Sequence, residues 1–385
     1  MKIVHICENF TDGLSYQDNI LTKYHKRLGF DVTVIASKWI YDTHGKFIYD
    51  YDASKGLNED GINIIRLEYK NNKPRTYKFK TYEGLLSVLQ SEHPNVLFIH
   101  GVQWVYLREI SKYLAHHKEI ITYCDNHADY SNSASSWASR NVLHRLIWRH
   151  YVKLITPYTT RFYGVLPARV KILSELYGVP KEKCEYLPLG ADDDEVIRAN
   201  SIKNIESIRL SYGINKDDFL IITGGKIDLA KKQTLLLMEA IRKIDDAKVK
   251  LLIYGSVVTE LREEFNKLIN DNIIYVGWVN SHYIYDLIAA SDLVIYPGRH
   301  SVLWEQTVAQ GIPMIVKYWE GTTHVDIGGN VKFLYEDSEE EIEQILRDLV
   351  TKKTEYNKML KAAQGGEKNK FLYSNIAKQS IREVL

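Results

Sequence analysis

The chain has 385 residues, of which 45% are hydrophobic and 26% charged. This composition excludes global disorder and collagen-like structure, and the length suits two domains, three at most. A formal charge of +1, from 50 basic and 49 acidic side chains, argues against a dedicated nucleic-acid binder, whose domains run strongly basic.

The first strand candidate, KIVHI (2–6), follows Met1 directly and leaves no room for a signal peptide. Further strands are expected at 31–37, 95–100, 119–124 and 161–165 in the first half, and at 219–224, 250–255, 272–277, 292–298 and 313–317 in the second. Amphipathic segments lie between them, such as 17–29, 233–244 and 282–290. Continuously apolar strands separated by helices imply parallel sheets covered on both faces. The pattern runs twice, so the expected fold is α/β: two Rossmann-like, doubly wound domains facing an interdomain cleft. Domains are placed at 1–190 and 191–371, with a hinge in LPLGADDDEVIRANS and a terminal helix in 372–385 expected to pack back on the first domain.

No stretch reaches the roughly 18 apolar residues needed to span a membrane. Cys7, Cys124 and Cys184 form no CxxC pair, so neither a disulfide scaffold nor a structural zinc site is expected, and a reducing cytoplasm suits them. Charge divides with the domains. Residues 1–190 hold 25 basic and 19 acidic groups and the remainder 25 and 30, balances of +6 and −5.

Lone Gly13 follows the first strand, where backbone can approach a ligand or simply turn; it is not a GxGxxG fingerprint. DNHADY sets Asp125, His127 and Asp129 at alternate positions after a strand. No further His/Cys cluster supports a metal there, and a polar lining for a sugar competes with plain turn capping. Residues 139–158 interleave Leu, Ile, Trp and Tyr with Arg145, Arg149 and Lys153 at helical spacing. That suits either an interfacial helix on anionic lipid or a core-packing helix with a basic outer face.

FLIITGGKIDLAKKQ opens the second domain with Gly225, Lys226, Lys231 and Lys232 between a strand and a helix start. Cations stacked at a positive helix end make sense if an anion, such as a diphosphate, sits between them. After Pro297-Gly298, Ser301 is expected as a helix N-cap, with the amides of Val302 and Leu303 aimed at a phosphate. Glu305, one turn in, is expected to face the same site and accept from a ribose diol.

Together these stretches resemble the retaining nucleotide-sugar glycosyltransferases of family 4, of GT-B fold, over nearly the whole chain. YGVLPARVKILSELYGVPKEKCEYLPLGAD is similar to the family's interdomain segment, GGKIDLAKKQ to its diphosphate clamp, and IIYVGWVNSHYIYDLIAASDLVIYPG to its base-holding run. The resemblance implies Gly13, Gly225, Gly255, Val279, Tyr283 and His300 around a donor, probed from the other side by Asp125, His127 and Asp129. It implies His127, Lys226 and Lys232 as catalytic groups, no metal, a UDP-sugar donor, and a glycan or polyprenyl-lipid-linked acceptor at the inner membrane face. Two departures stand out. Lys226 replaces the clamp arginine, and the family's two glutamates eight positions apart are incomplete, since counting back from Glu305 or Gln306 reaches Pro297 or Gly298. The ribose role falls to Glu305, or to Gln306 if register is taken from Gly311-Ile312-Pro313, and the first glutamate's role to Arg299, His300 or no residue. A degenerate nucleotide- or glycan-binding protein of the same fold is the competing expectation.

Overall fold

The computed structural model describes residues 1–42, 46–51, 55–70, 79, 81–229, 232–244 and 246–385. The chain divides into two compact units, one of Met1–Pro188 with Ile376–Leu385 and one of Leu189–Asn375.

Unit 1 is built on ten strands: β1 (Lys2–Ile6), β2 (Asp31–Ser37), β3 (Trp39–Tyr41), β4 (Phe47–Tyr49), β5 (Lys55–Leu57), β6 (Asn63–Leu67), β7 (Val96–Ile99), β8 (Ile121–Asn126), β9 (Arg161–Gly164) and β10 (Cys184–Tyr186). Eight form one sheet in the order β10-β9-β8-β7-β1-β2-β6-β5, while β3 and β4 pair separately. All neighbours in the large sheet are parallel except β5 with β6. Unit 2 holds β11 (Phe219–Gly224), β12 (Val249–Tyr254), β13 (Ile273–Gly277), β14 (Leu293–Tyr296), β15 (Met314–Lys317) and β16 (Val331–Leu334). Their order is β13-β12-β11-β14-β15-β16, parallel throughout.

Burial explains why these runs are strands without polar alternation. On β11, Leu220 and Ile222 pack into one core and Ile221 into the other. Helices cover both faces, so the strand is apolar without alternation from Phe219 to Ile222. Several short strands (β3 to β6, β10, β16) escape the sequence pattern. At three to five residues, each carries too little periodicity to stand out.

Topology fixes where function can sit. Strand order reverses between β1 and β7 in unit 1, and between β11 and β14 in unit 2. In open α/β sheets, ligands bind at such switch points, outside the carboxyl ends of the strands. The loops leaving those strands carry Gly13, His100, Gly225–Lys232 and Pro297–Val302.

Segment 139–158 is helical in three pieces: a π-helix at Ser139–Trp148, an α-helix at Arg149–Ile155 and a 3-10 turn at Thr156–Tyr158. Trp148 and Val152 are buried, whereas Val142 and Leu146 are exposed. The expected final helix runs Tyr373–Ser380. Beyond it Glu383 pairs with Arg161 at 2.8 Å and Arg382 with Glu185 at 2.7 Å, tying the terminus to the edge of the unit 1 sheet. Among the described residues, no helix is long and apolar enough to cross a membrane.

Candidate functional site

In unit 2 the ends of β11 and β12 approach each other closely. Gly225 and Gly255 both adopt φ +110°, a region that side chains rarely adopt. A Cβ on Gly255 would collide with the Gly225 carbonyl oxygen. Glycine is therefore required here sterically, and the two strand ends pack backbone to backbone. Lys226 follows directly and is exposed, as is Lys232 just before the helix Gln233–Ile244. Neither ammonium is paired with a carboxylate among the described residues, which leaves both charges available to an anion. Lys231 lies outside the described residues.

Val279 and Tyr283 are partly buried against the unit 2 core. Asn280 caps the helix Ser281–Ala290 by accepting from the Tyr283 amide at 2.8 Å, and the Tyr283 hydroxyl meets that of Tyr212 at 3.1 Å. These contacts fix the tyrosine in the first turn of that helix.

The loop after β14 departs from the sequence reading in two respects. The helix begins at Leu303, Val302 occupies the cap position, and no side chain caps it. Ser301 instead contributes its carbonyl, which accepts from the Trp304 amide at 3.0 Å. Glu305 does not face outward. Its side chain is wholly buried, and its Oε1 accepts from His300 Nε2 at 2.9 Å and His324 Nε2 at 2.7 Å. Burial would raise its pKa, but the two histidines outweigh burial and hold it well below the carboxylate range. The whole stretch Trp304–Gln310, Gln306 included, is buried, so a carboxylate three residues into this helix meets protein, not solvent. Arg299 is exposed.

His300, Glu305 and His324 also bring three potential metal ligands within 4.8 Å of one another, a convergence the sequence reading did not anticipate. His324 lies 19 residues beyond Glu305, and nothing in its own surroundings marks it. Each ring donates its Nε2–H to the one oxygen, so hydrogen bonds already account for the convergence.

In unit 1, Asp125 is the penultimate residue of β8 and is fully buried. It accepts from the Gly101 amide at 2.7 Å and from His100 Nδ1 at 3.0 Å, and His127 Nε2 lies 3.4 Å away. Burial would raise its pKa, yet His127 and His100 pull it well below the carboxylate range. His127 is about half exposed, 44% at its side chain, and so is the member of this pair that a ligand can touch. Asp129 is corrected from ligand contact to structure. One oxygen accepts from Ser131 and Asn132 and the other from Arg169 at 3.1 Å, which commits the carboxylate to its own turn. Gly13 has φ +77° with open space around it, as a turn glycine or a close-approach site requires.

The sequence reading missed His5, His25 and Ser380, which are buried beside His100. A histidine inside the apolar runs KIVHI and NVLFIH was the available signal, since a buried ring must find partners.

Two family models match the chain: residues 20–195 match the one described as Glycosyltransferase Family 4, and residues 204–365 the one described as Glycosyl transferases group 1. Among solved structures, HepE of Anabaena in complex with UDP is similar at TM-score 0.72 and 16% identity, covering 100% of this chain and 99% of that one. A glycosyltransferase from Rickettsia africae is similar at TM-score 0.69 and 14% identity, covering 99% and 97%. WaaG, a glycosyltransferase involved in lipopolysaccharide biosynthesis, is similar at 0.67 and 14%, covering 98% of each chain. A search of curated proteins finds no match.

Proposed function

Because this chain belongs to the glycosyltransferases of the family 4 type and has their two-domain GT-B fold, we propose that it moves a sugar from a UDP-sugar, with retention and without a metal, to a glycan or lipid-linked acceptor of a surface polysaccharide. The observation that carries this reading is the exposed Lys226, paired with no carboxylate among the described residues, beside the close Gly225–Gly255 contact at the end of β11, a strand of the unit 2 switch point. HepE has been solved with UDP and with UDP-glucose, which favours uridine over other bases.

In this reading unit 2 binds the donor. Val279 and Tyr283 flank the base. Lys226, Lys232, Lys231 and the amides of Val302 and Leu303 meet the diphosphate. Preorganised positive charge stabilises the departing UDP, where negative charge grows in the transition state. The departing phosphate is the base that takes the acceptor proton. His127, held beside the Asp125 carboxylate, hydrogen-bonds a sugar hydroxyl from unit 1.

The acceptor side is proposed to rest on an anionic membrane, supported by exposed Trp137, Val142 and Leu146 next to Arg140, Arg145 and Lys153. Apolar groups inserting beside basic ones suit such a surface.

The test is a thermal-shift screen of sugar nucleotides, followed by UDP release with the best binder, since ligand binding raises apparent stability by mass action. Stabilisation by UDP-sugars together with acceptor-dependent release supports the transferase. Binding without release, even of slow donor hydrolysis, points to the degenerate binding protein that the missing first glutamate suggests. Absence of any nucleotide response overturns the reading.

A further inference from the structure

Behind Asp125, unit 1 contains an unbroken run of side-chain hydrogen bonds. His100 Nδ1 meets Asp125 Oδ2 at 3.0 Å, and His100 Nε2 meets His5 Nδ1 at 2.9 Å. His5 Nε2 meets His25 Nδ1 at 3.0 Å, and His25 Nε2 meets Ser380 Oγ at 2.8 Å. Ser380 Oγ finally donates to the Ala377 carbonyl at 2.8 Å. His5, His25, Asp125 and Ser380 are fully buried. The links come from β1, from the helix Gln17–Arg27, from the loop after β7, from β8 and from the C-terminal helix.

Proton counting decides the state of this run. Both ends, a carboxylate and a carbonyl, can only accept. Five hydrogen bonds need five protons, whereas three neutral imidazoles and one hydroxyl own four. If all the rings were neutral, one contact would set two lone pairs face to face at hydrogen-bonding distance.

We propose that His100, His5, His25 and Ser380 are positioning residues for Asp125: the closed run carries one extra proton, as an imidazolium at His100, and so holds Asp125 as a carboxylate in one orientation beside His127. Every link then has a direction. His100 donates at both nitrogens, to Asp125 and to His5 Nδ1. His5 donates from Nε2 to His25, His25 from Nε2 to Ser380, and Ser380 to Ala377. Asp125 keeps Oδ1 for the Gly101 amide and His127.

The surroundings place the charge at that end. Burial pushes His5 well below the usual histidine range and His25 down to about 3. Burial also works against His100, but the charge and hydrogen bond of Asp125 outweigh it and raise its pKa. The other ionisable groups within reach are His127, Asp18 and Cys7 near Asp125, and burial raises the pKa of the latter two. Toward the far end, Tyr163 donates to the Ser380 carbonyl and Tyr123 to Glu383.

The proposal rests on the transferase reading for what Asp125 serves, but its test does not. Full-length protein labelled with ¹⁵N-histidine is titrated by long-range ¹H–¹⁵N correlation, with His100→Gln, His5→Gln and His25→Gln assigning the signals. Near pH 7, His100 is expected with both nitrogens protonated, and His5 and His25 as neutral rings protonated at Nε2. His25→Phe shortens the run to two bonds, which two neutral rings satisfy, so the pKa of His100 should fall by one unit or more. His25→Gln can accept from His5 and donate to Ser380, and should restore it. The alkaline limb of the pH–rate profile should move with the His100 pKa in His25→Phe and return in His25→Gln. A neutral His100 in the wild-type protein overturns the proposal, even if no variant folds, as does a His100 pKa that His25→Phe leaves unchanged. The expected imidazolium in a protein without transferase activity would uphold the run and remove only the transferase reading.

Discussion

His300 and His324, 24 positions apart in the chain, both point Nε2 at a single oxygen of Glu305, at 2.9 and 2.7 Å. The second oxygen, Oε2, has no hydrogen-bond partner among the described residues. Glu305 thus ties the loop after β14 to the turn after β15, and its charge is used inside the protein. Glu305→Ala should cost stability first, by about 3 kcal/mol, because two buried donors lose their acceptor. Chemical denaturation measures this. An unchanged midpoint together with lost UDP affinity would return the carboxylate to the nucleotide.

The same three residues form a group that a cation would fit. With the hydrogen bonds as the operating state, prolonged chelator treatment should leave turnover and melting temperature unchanged. Loss of either, restored by zinc alone, would make the trio a metal site.

Lys226 stands exposed beside the Gly225–Gly255 contact. Lys226→Ala should weaken UDP binding by about 1.5–3 kcal/mol, the range for hydrogen bonds to charged groups, while uridine binding changes little. Calorimetry with both ligands checks the contrast, and equal losses would show that Lys226 does not touch phosphate.

Stability should fall on acidification. His25 has a folded pKa of about 3, and His5 is also depressed, against an unfolded value near 6.5. Below about pH 6.5 the unfolded chain therefore binds protons that the folded chain refuses, and stability drops by about 1.4 kcal/mol per pH unit for each such group. His100 has the opposite sign, because its pKa is raised. Its contribution is present below the unfolded value and lost as pH rises through the folded one. Denaturant midpoints between pH 5 and 9 should accordingly peak near neutrality; a monotonic rise would contradict the sign for His100, and a monotonic fall the sign for His5 and His25.

Trp137, Val142 and Leu146 are exposed on the basic segment of unit 1. Leu146→Ser should reduce co-sedimentation with anionic vesicles several-fold while leaving the fold intact, since the side chain is 63% exposed. No preference of the wild-type protein for anionic over neutral vesicles would remove the membrane reading.

The long apolar strands carried most of the fold in their own composition. Runs such as DVTVIAS and FLIITG lie at the positions read for them, because strands covered on both faces have little freedom to be anything but apolar. Gly225 and Lys226 were equally legible, since glycine and charge at a strand end keep their meaning without long-range context. Their clustering with Gly255 follows once β11 and β12 are paired.

Side-chain direction was decided only in three dimensions. Glu305 reads as an acid facing a donor's ribose one turn into a helix, but the helix is buried along nearly its whole length and His324 closes over it. Asp129 reads like Asp125, yet Arg169 and two turn residues claim it. His5, His25, His100 and Ser380 span 375 positions, and no local pattern announces that they touch. The sequence by itself determined where apolar surface, glycine and charge must occur, because those follow from burial and backbone sterics. Only the tertiary structure decided which polar groups face one another, because a buried donor takes whatever acceptor packing brings within 3 Å.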